Sequence, residues 1–372
     1  MPAAGWQNEA MTEPRFIARP DWYRPDWYTT DAPQPLIATG RPLRWGVVAT
    51  GNIAGTVTGE LALLEDAVLQ AVSSRFAPKA AAFASRFGFV AQYYDDGGIP
   101  GYQQLVQDPE VDVVYVATPH AQHFAVAKAA LEAGKHVLCE KAFTINAREA
   151  AELIRLAAER GLFLMEGVWS RFVPGMQRAF DIIASGELGT VKWVRADLGF
   201  PAPDDPETRI WARADGGGAL LDLTVYPLLW AWAALGAPQS VSATGVIAPL
   251  GVDSQNAITL DYACGAQAQL MSSLTAHGPR SAVVAGSKGY LQTMGSVNNP
   301  TSLTVQIGWQ EPRLESFEPI GRGYTYQLRE VTRCIQQGLT ESPTMPLADS
   351  LAIMHLFDGV RAELGVVYPN DA

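Results

Sequence analysis

Residues 43–54 read LRWGVVATGNIA, and residues 55–75 continue as GTVTGELALLEDAVLQAVSSR. The run LRWGVV is short and apolar, as in buried strands, and the small residues ATGNIA separate it from a predicted helix. A second predicted strand, AVLQAVSSR, begins at residue 67. This strand–turn–helix–strand order is typical of a parallel sheet with helices on both faces.

The turn approximates the pattern G-x-G-x-x-G/A, which binds the pyrophosphate of a dinucleotide. Gly51 keeps the position where the backbone approaches the pyrophosphate, and Ala54 keeps the small residue needed for helix–strand packing. Ala49 replaces the first glycine, which permits the tight turn. The alternative is a purely structural turn. The predicted dinucleotide-binding residues, at the N-terminus of a helix, are Thr50, Gly51, Asn52, Ile53 and Ala54.

The end of the second strand indicates which dinucleotide is bound. A carboxylate at this place would bond the ribose 2′-hydroxyl of NAD. The sequence instead reads SSRFAPK, which supplies Ser74, Arg75 and Lys79. Because the Arg75 guanidinium can pair with a 2′-phosphate, we predict NADP as the cofactor. The alternative is an ordinary surface arginine.

The alternation of strands and helices continues through the runs VDVVYVAT, HVLCEK and LFLMEGVW. One predicted helix has Asn146 as its N-cap and Gly161 as its stop. We therefore expect a Rossmann domain over residues 43–166. From residue 167 to 372, longer strand candidates with intervening turns, closed by a helical pair, predict an α+β domain. The predicted fold class is α/β, with the second domain built on a large, mostly antiparallel open sheet.

Residues 1–42 differ from the rest and are predicted to form an N-terminal arm. The segment is rich in proline and aromatic residues and contains RPDWY twice, at 19–23 and 24–28. Recurring prolines prevent a regular helix or strand. Disordered segments are normally poor in aromatic rings, which favours an ordered arm lying on another surface. A disordered tail is the alternative.

Composition excludes several classes of function. The net charge of −11 and the pI of about 5.0 argue against nucleic-acid binding. We see neither a signal peptide nor a run of the ~20 apolar residues that a membrane span needs. Three dispersed cysteines, expected in the core, form no disulfide framework or zinc pattern, so we predict a cytoplasmic protein. The histidine spacing predicts no metal site.

Two further stretches carry the chemistry. CEKAF places Glu140 and Lys141 at the carboxyl end of a buried parallel strand, where ligands of open α/β sheets bind. GGGALLDLTVYP, residues 216–227, places Asp222 and Tyr226 on one face of a helix, and its glycines indicate a close backbone approach. Lysine, aspartate and tyrosine form a proton-transfer set for alcohol oxidation. The Lys141 ammonium is expected to lower the pKa of Tyr226.

These motifs together resemble one known family. From Leu43 to the C-terminus the chain carries, in order, LRWGVVATGNIA, ATPHAQH, AGKHVLCEK, LFLMEGVWSRFVP, GELGTV and GGGALLDLTVYPL. It resembles the Gfo/Idh/MocA oxidoreductases, and within them the dimeric dihydrodiol dehydrogenase and NADP-dependent D-xylose dehydrogenase branch. The resemblance implies a sugar or diol substrate and a homodimer or homotetramer formed through the C-terminal sheet. Glucose–fructose oxidoreductase, a relative, has a proline-rich arm that wraps its neighbour, which suggests arm exchange here.

The resemblance also implies roles for single residues. Lys141 would orient the substrate hydroxyl, Tyr226 would act as general acid and base, and Asp222 would share the site as a third catalytic residue. The residues implied to lie beside the cofactor are Thr118, Pro119, His120, His123, Glu140, Lys141, Trp169, Arg171 and Trp211.

Two departures from the family pattern bear on this geometry. Ala142 replaces the proline of an E-K-P motif, so we expect either a trans bond with a displaced Lys141 or a tolerated cis bond. Thr224 replaces a glycine between Asp222 and Tyr226. The main expectation is an NADP-dependent oxidoreductase acting on a sugar or cyclic polyol. The alternatives are an aldose–aldose oxidoreductase with tightly held NADP and a catalytically weakened NADP-binding sensor or partner subunit.

Overall fold

A computed structural model describes residues 34–372. Most of the predicted arm, including both copies of RPDWY, lies outside the described residues. Its last residues run across two elements of the fold. The carbonyl oxygens of Pro35 and Leu36 accept hydrogen bonds from the guanidinium of Arg329, and the Thr39 N–H donates to Asp66. Residues 34–41 therefore connect Asp66, in the first part of the chain, to the helix that contains Arg329.

The first part of the chain alternates strands and helices as predicted. The elements are β1 Leu43–Val48, α1 Asn52–Leu61, β2 Ala67–Ser74, α2 Ala77–Phe87, β3 Ala91–Tyr94, α3 Gly101–Val106, β4 Val113–Val116, α4 His120–Glu132, β5 His136–Glu140, α5 Ala147–Arg160 and β6 Leu164–Gly167. The strands pair in parallel in the order β3-β2-β1-β4-β5-β6. This is the Rossmann order, with its switch point between β1 and β4.

Local sequence signals explain the boundaries of helix α5. The Asn146 side chain accepts a hydrogen bond from the Glu149 N–H, and so caps a free donor at the helix start. Gly161 ends the helix with φ of 63°, a conformation that glycine adopts at little cost. Both predicted end signals of this helix are confirmed.

The second part of the chain forms one large sheet with helices. Its elements are α6 Pro174–Ala184, β7 Val191–Gly199, α7 Val225–Leu235, β8 Ser240–Ile247, β9 Asp253–Asp261, β10 Gln267–Ser273, β11 Ala282–Gly286, β12 Gly289–Ser296, β13 Asn299–Ile307, β14 Arg313–Ser316, α8 Tyr324–Gln336 and α9 Leu347–Leu364. The strand order is β14-β13-β12-β11-β7-β10-β9-β8, and among the described strands of this second sheet only β7 and β10 pair in parallel. The predicted mostly antiparallel sheet is confirmed.

The last helices pack back onto the Rossmann sheet. Arg329 on α8 forms a fully buried ion pair with Asp66, 2.7 Å between NH2 and Oδ1. Glu60 on α1 accepts hydrogen bonds from the backbone N–H groups of Arg322 and Thr325, at the start of α8. These contacts fix the start of α8 relative to α1.

Two expectations from composition need correction. The segment Arg213–Leu235 is long enough for a membrane span, and its most apolar window has a mean hydropathy of 1.4. Within the described residues, the sequence therefore does contain one candidate span by length and composition. In the fold, 89% of its most apolar window is buried, because α7 packs against the second sheet. Cys264 is exposed, and only Cys139 and Cys334 lie in the core.

Candidate active site

A cavity of about 840 Å³ opens at the carboxyl ends of β1, β4 and β5 and reaches across to the second sheet. Its size suits a cofactor or small ligand. The loops after β1 and β4 diverge at the switch point of the sheet, which leaves a crevice between them. This explains why residues distant in sequence line one space.

The turn after β1 keeps the conformation of a dinucleotide-binding loop although its first glycine is missing. Ala49 adopts φ of 93°, a region that favours glycine. Gly51 is the N-cap of α1 and, having no side chain, makes no capping hydrogen bond. A Cβ added there would meet no described atom within 4 Å. Open space beside free helix N–H groups fits a pyrophosphate. The residues present therefore fit a dinucleotide.

The cavity collects most of the site residues predicted from the sequence. Those that line it are Thr50, Gly51, Asn52, Ile53, Ser74, Arg75, Lys79, Thr118, Pro119, His120, His123, Glu140, Lys141, Trp169, Asp222 and Tyr226. Three predicted cofactor residues do not line it: Ala54, Arg171 and Trp211.

The three exceptions have structural surroundings instead. Ala54 is buried in α1, where a small side chain packs against the sheet. The Arg171 guanidinium is fully buried and pairs with Asp349 at 2.7 Å, away from the cavity lining. The Trp211 indole donates to the carbonyl oxygen of Pro203. The ion pair of Arg171 depends on a residue far away in sequence, which the motif did not reveal.

Two histidines of α4 hold the backbone around Lys141. The His120 Nε2 lies 3.1 Å from the Lys141 carbonyl oxygen, and the His123 Nδ1 lies 2.9 Å from that of Ala142. Burial lowers the pKa of His120 to about 3 and that of His123 to about 4, so both rings are neutral at working pH. The peptide bond between Lys141 and Ala142 is cis, one of the two expected outcomes. Lys141 stays in the cavity.

Asp222 lies between two cations, beside the neutral ring of His120. Its Oδ1 is 3.1 Å from the Arg209 guanidinium, 3.7 Å from the Lys141 Nζ and 4.0 Å from the His120 Nε2. Burial opposes ionisation of this carboxyl, but Lys141 and Arg209 outweigh it and hold its pKa below the usual range. Lys141 also donates to the Asp222 carbonyl oxygen at 2.5 Å. Asp222 is therefore a fixed anion that places the lysine.

Tyr226 is held between aromatic rings and the lysine. The Trp169 Nε1 donates to its hydroxyl at 3.1 Å, and Tyr324 stacks on Trp169 at 4.5 Å between ring centres. The Lys141 Nζ lies 5.2 Å from the Tyr226 ring centre. The expectation of a lowered pKa is wrong, because burial and then Glu140 raise the pKa of Tyr226. The phenol is protonated at working pH.

The helix that carries Asp222 and Tyr226 begins with an unusual turn. Residues Leu220–Thr224 form a π-helical turn before α7, a feature frequent at functional sites. Thr224 points away from the cavity and donates to the Ser272 hydroxyl at 2.9 Å within a buried polar network. Its replacement of glycine leaves Asp222 and Tyr226 facing the same cavity.

Close packing explains the glycines before this turn. A Cβ on Gly216 would lie 2.6 Å from Ile145 and 2.8 Å from His120, and Gly218 adopts φ of 115°. The loop thus brings the second half of the chain against α4. The prediction of close backbone approach is confirmed.

Several cavity residues escaped the sequence analysis. Those on the side of the second sheet and α8 are Leu198, Phe200, Arg209, Arg280, Asn298, Arg322 and Tyr324. Most follow from long-range packing, which no local pattern encodes. The exception is GRGY at 321–324, where two glycines flank an arginine and mark a special turn. Within residues 34–372, no group of three or more His, Cys, Asp or Glu side chains could hold a metal ion.

The fold and the cavity define a dinucleotide-dependent oxidoreductase. A family model described as "Oxidoreductase family, NAD-binding Rossmann fold" matches residues 43–168, and the corresponding C-terminal domain model matches residues 176–292. The chain belongs to the Gfo/Idh/MocA family of oxidoreductases.

Relatives and solved structures agree with this assignment. The chain is 35% identical over 343 residues to trans-1,2-dihydrobenzene-1,2-diol dehydrogenase of Mus musculus, which covers 88% of this chain and 99% of the relative. An aldose–aldose oxidoreductase from Caulobacter crescentus superposes with a TM-score of 0.77 at 25% identity, covering 87% of this chain and 97% of that one. A 3-ketoreductase from Actinomadura kijaniata in complex with NADP gives 0.76 at 27% identity, covering 87% and 98%.

Proposed function

We propose that the protein is an NADP-dependent oxidoreductase that acts on a CH–OH carbon of a sugar or cyclic polyol. The observation that carries the proposal is the meeting of Lys141, Asp222 and Tyr226 in the cavity that also contains the dinucleotide-binding turn. The diol dehydrogenase relatives and the sugar-enzyme structures support a CH–OH substrate.

The chain's own residues handle the proton of the substrate oxygen. A bound nicotinamide accepts or supplies the hydride. The Tyr226 hydroxyl exchanges a proton with the substrate oxygen, and its raised pKa keeps it as an acid. A protonated phenol suits carbonyl reduction, where the oxygen gains a proton. In oxidation the same group must first lose its proton, which burial and Glu140 oppose and the Trp169 hydrogen bond favours.

Lys141 and Asp222 position and polarise the substrate oxygen. The Lys141 Nζ lies between the Asp222 carboxylate, at 3.7 Å, and the Tyr226 ring. Donors aimed at a developing negative charge lower the barrier electrostatically. Asp222 holds the Lys141 ammonium in place. Because its carboxylate is shared with Arg209, Asp222 does not cancel the positive charge of the lysine. Lys141 therefore acts on the substrate oxygen and Asp222 acts through Lys141.

The far end of the cavity supports NADP over NAD. Ser74, Arg75 and Lys79 follow β2 and line the cavity, and Arg75 and Lys79 both lie near the Phe76 ring, at 5.8 and 5.4 Å. Neither cation is in an ion pair with another described residue. Free cations at this strand end match a 2′-phosphate.

The proposal is tested by nicotinamide absorbance with NADP and a panel of aldoses, diols and the matching ketones. We expect turnover of at least one pair, and a fall in kcat of roughly 10²- to 10⁴-fold in Tyr226→Phe. The control is Tyr290→Phe, whose hydroxyl bonds Gln306 on the second sheet. NADPH binding, followed by fluorescence, should persist in both variants. Wild-type turnover by Tyr226→Phe would contradict the assignment.

A second candidate function is an aldose–aldose oxidoreductase that keeps its NADP between half-reactions. The solved structure from Caulobacter crescentus supports this candidate. It is tested by gel filtration of the purified protein, since a retained cofactor carries its absorbance with the protein peak. The sensor alternative is less favoured, because the cavity keeps every ionisable partner that the chemistry needs.

We further propose a cytoplasmic homo-oligomer formed through the outer face of the second sheet. Trp193 on β7 and Met271 on β10 are 44% and 42% exposed on this face, which is large for apolar side chains. Light scattering of the wild type and of Trp193→Asp tests the assembly. Dissociation of the variant supports it, and a monomeric wild type contradicts it. Fractionation of cells tests the location.

A further inference from the structure

Two arginines at the mouth of the cavity have no part in the proposed chemistry. Arg280 and Arg322 both line the cavity and both are exposed. The ion pairs among the described residues include neither of them. Each nevertheless stands on a backbone turn that is fixed by a carboxylate.

Arg322 is presented by a short turn between two glycines. Gly321 and Gly323 have φ of 56° and 99°, a region where other side chains are strained. Glu60 accepts the Arg322 N–H at 2.5 Å, and a Cβ on Gly321 would lie 2.8 Å from the same carboxylate. The main chain of Arg322 is therefore fixed, while its guanidinium remains free to bind a ligand.

Arg280 is presented by a different turn in a similar way. Its φ of 58° is unusual for a residue other than glycine. Asp197 on β7 accepts the N–H groups of Arg280 and Ser281, at 2.8 and 3.3 Å, and so stabilises this conformation. Such backbone conformations persist only where the surroundings enforce them, and they concentrate at ligand sites.

The turn between β12 and β13 connects the two arginines. The Arg280 guanidinium donates to the Ser296 hydroxyl at 3.0 Å, and Ser296 donates to Asn298, which also lines the cavity. The next residue, Asn299, donates to the Arg322 carbonyl oxygen at 3.1 Å. The arginines therefore flank one narrow turn and face the same part of the cavity.

The charge of the cavity differs from that of the chain. The chain carries a net charge of −11. Cations outnumber carboxylates among the cavity residues: Arg75, Lys79, Lys141, Arg209, Arg280 and Arg322 against Asp95, Glu140 and Asp222. The proposed function assigns Arg75 and Lys79 to the cofactor, and Asp222 pairs with Lys141 and Arg209. Arg280 and Arg322, at the mouth of the cavity, therefore have no assigned anionic partner.

We propose that Arg280 and Arg322 bind an anionic group of the substrate, a carboxylate or a phosphate remote from the reacting carbon. This inference rests on the function proposed above and narrows its substrate class to acidic sugars or polyols. Guanidinium groups recognise both anions through charge-assisted hydrogen bonds. A neutral sugar would leave both arginines without an anionic partner.

The test compares matched substrates with and without the anion, at saturating NADP. D-Glucose is compared with D-glucuronate and D-glucose 6-phosphate, and D-galactose with D-galacturonate, by kcat/KM and by calorimetric binding. The uronate and phosphate arms distinguish the two anions. We expect kcat/KM for at least one anionic sugar to exceed that for its neutral parent by about tenfold or more. This preference should weaken as the salt concentration is raised. In the double variant Arg280→Gln/Arg322→Gln, the ratio of kcat/KM for the charged sugar to kcat/KM for its neutral parent should fall about tenfold or more. The control Arg155→Gln, on the exposed face of α5, should leave the ratio unchanged.

The outcomes separate this inference from the proposed function. Turnover of neutral sugars as fast as of their acids, or an unchanged ratio in the double variant, overturns the anion site and leaves the oxidoreductase intact. A raised KM for NADP with an unchanged substrate ratio also overturns it, because the arginines then serve the cofactor. Anion-selective binding without any turnover supports the site and contradicts the proposed reaction.

Discussion

The indole Nε1 of Trp169 donates a hydrogen bond to the hydroxyl of Tyr226 at 3.1 Å. Trp169 follows β6 of the Rossmann sheet, whereas Tyr226 belongs to α7 on the second sheet, so this bond joins the two halves of the site. Of the effects on the Tyr226 pKa, burial and Glu140 raise it, and the indole bond lowers it. Trp169 thus tunes the proposed acid as well as placing it.

Replacing Trp169 by Phe removes this donor and keeps most of the ring packing. We expect kcat to fall roughly fivefold, the effect of one hydrogen bond of about 1 kcal/mol. Because the pKa of Tyr226 should rise further, the basic limb of the pH–rate profile should move to higher pH. The control is Trp309→Phe, a fully exposed indole away from the cavity. An unmoved basic limb in Trp169→Phe would show that the indole does not act on Tyr226.

Asp253 makes stability depend on pH. It is buried, it caps the turn before α7 by accepting the Leu220 N–H at 2.9 Å, and burial raises its pKa to about 7. A raised carboxyl pKa means that the neutral form is preferred in the fold. This contribution is complete below the unfolded value near 4 and is lost as pH rises through 7.

Asp253→Asn keeps an acceptor and cannot ionise. We expect its free energy of unfolding to exceed that of the wild type by about 2 kcal/mol at pH 8, and the difference to shrink towards pH 5. Urea denaturation at several pH values measures this. Asp204→Asn, at an exposed position, is the control and should show no such trend. A difference that grows towards acid pH would contradict the raised pKa.

Ala49 stores strain in the nucleotide-binding turn, since its φ is 93°. Ala49→Gly should raise the free energy of unfolding by about 1 kcal/mol, because relief of the left-handed strain exceeds the entropy that glycine adds to the unfolded chain. Ala54→Gly, inside α1, should instead destabilise by about 1 kcal/mol. Thermal and urea unfolding compare the pair. Equal losses in both variants would mean that Ala49 is not strained.

Arg75 should decide between the two dinucleotides. Arg75→Gln is expected to raise the KM for NADP about tenfold or more and to leave the KM for NAD nearly unchanged, because only NADP carries the 2′-phosphate. Arg86→Gln, on the helix α2 that follows Arg75 but outside the cavity, provides the control. If both cofactors lose affinity equally, Arg75 does not recognise the phosphate.

The sequence predicts the Rossmann half well, because its signals are local. Short apolar strands, the turn at Gly51 and caps such as Asn146 each depend on neighbouring residues. Lys141 could be placed in the site because strand ends of a parallel sheet meet at one edge, and Asp222 because its spacing from Tyr226 puts both on one helix face. These features require no knowledge of distant packing.

The remaining features depend on contacts between distant segments. The direction of the Tyr226 pKa shift could not be predicted, because it depends on burial and on Glu140, which only the fold brings close to the phenol. Arg171 was assigned to the cofactor by its motif, but its partner Asp349 lies far along the chain and holds it in the core.

The buried pair of Asp66 and Arg329 has a consequence for synthesis. Asp66 is synthesised early, whereas Arg329 leaves the ribosome only near the end of translation. Until then the Asp66 carboxylate has no guanidinium to pair with. Breaking such a buried pair is costly. We therefore expect a fragment that stops before α8 to fold poorly, because its Asp66 carboxylate would lack this partner.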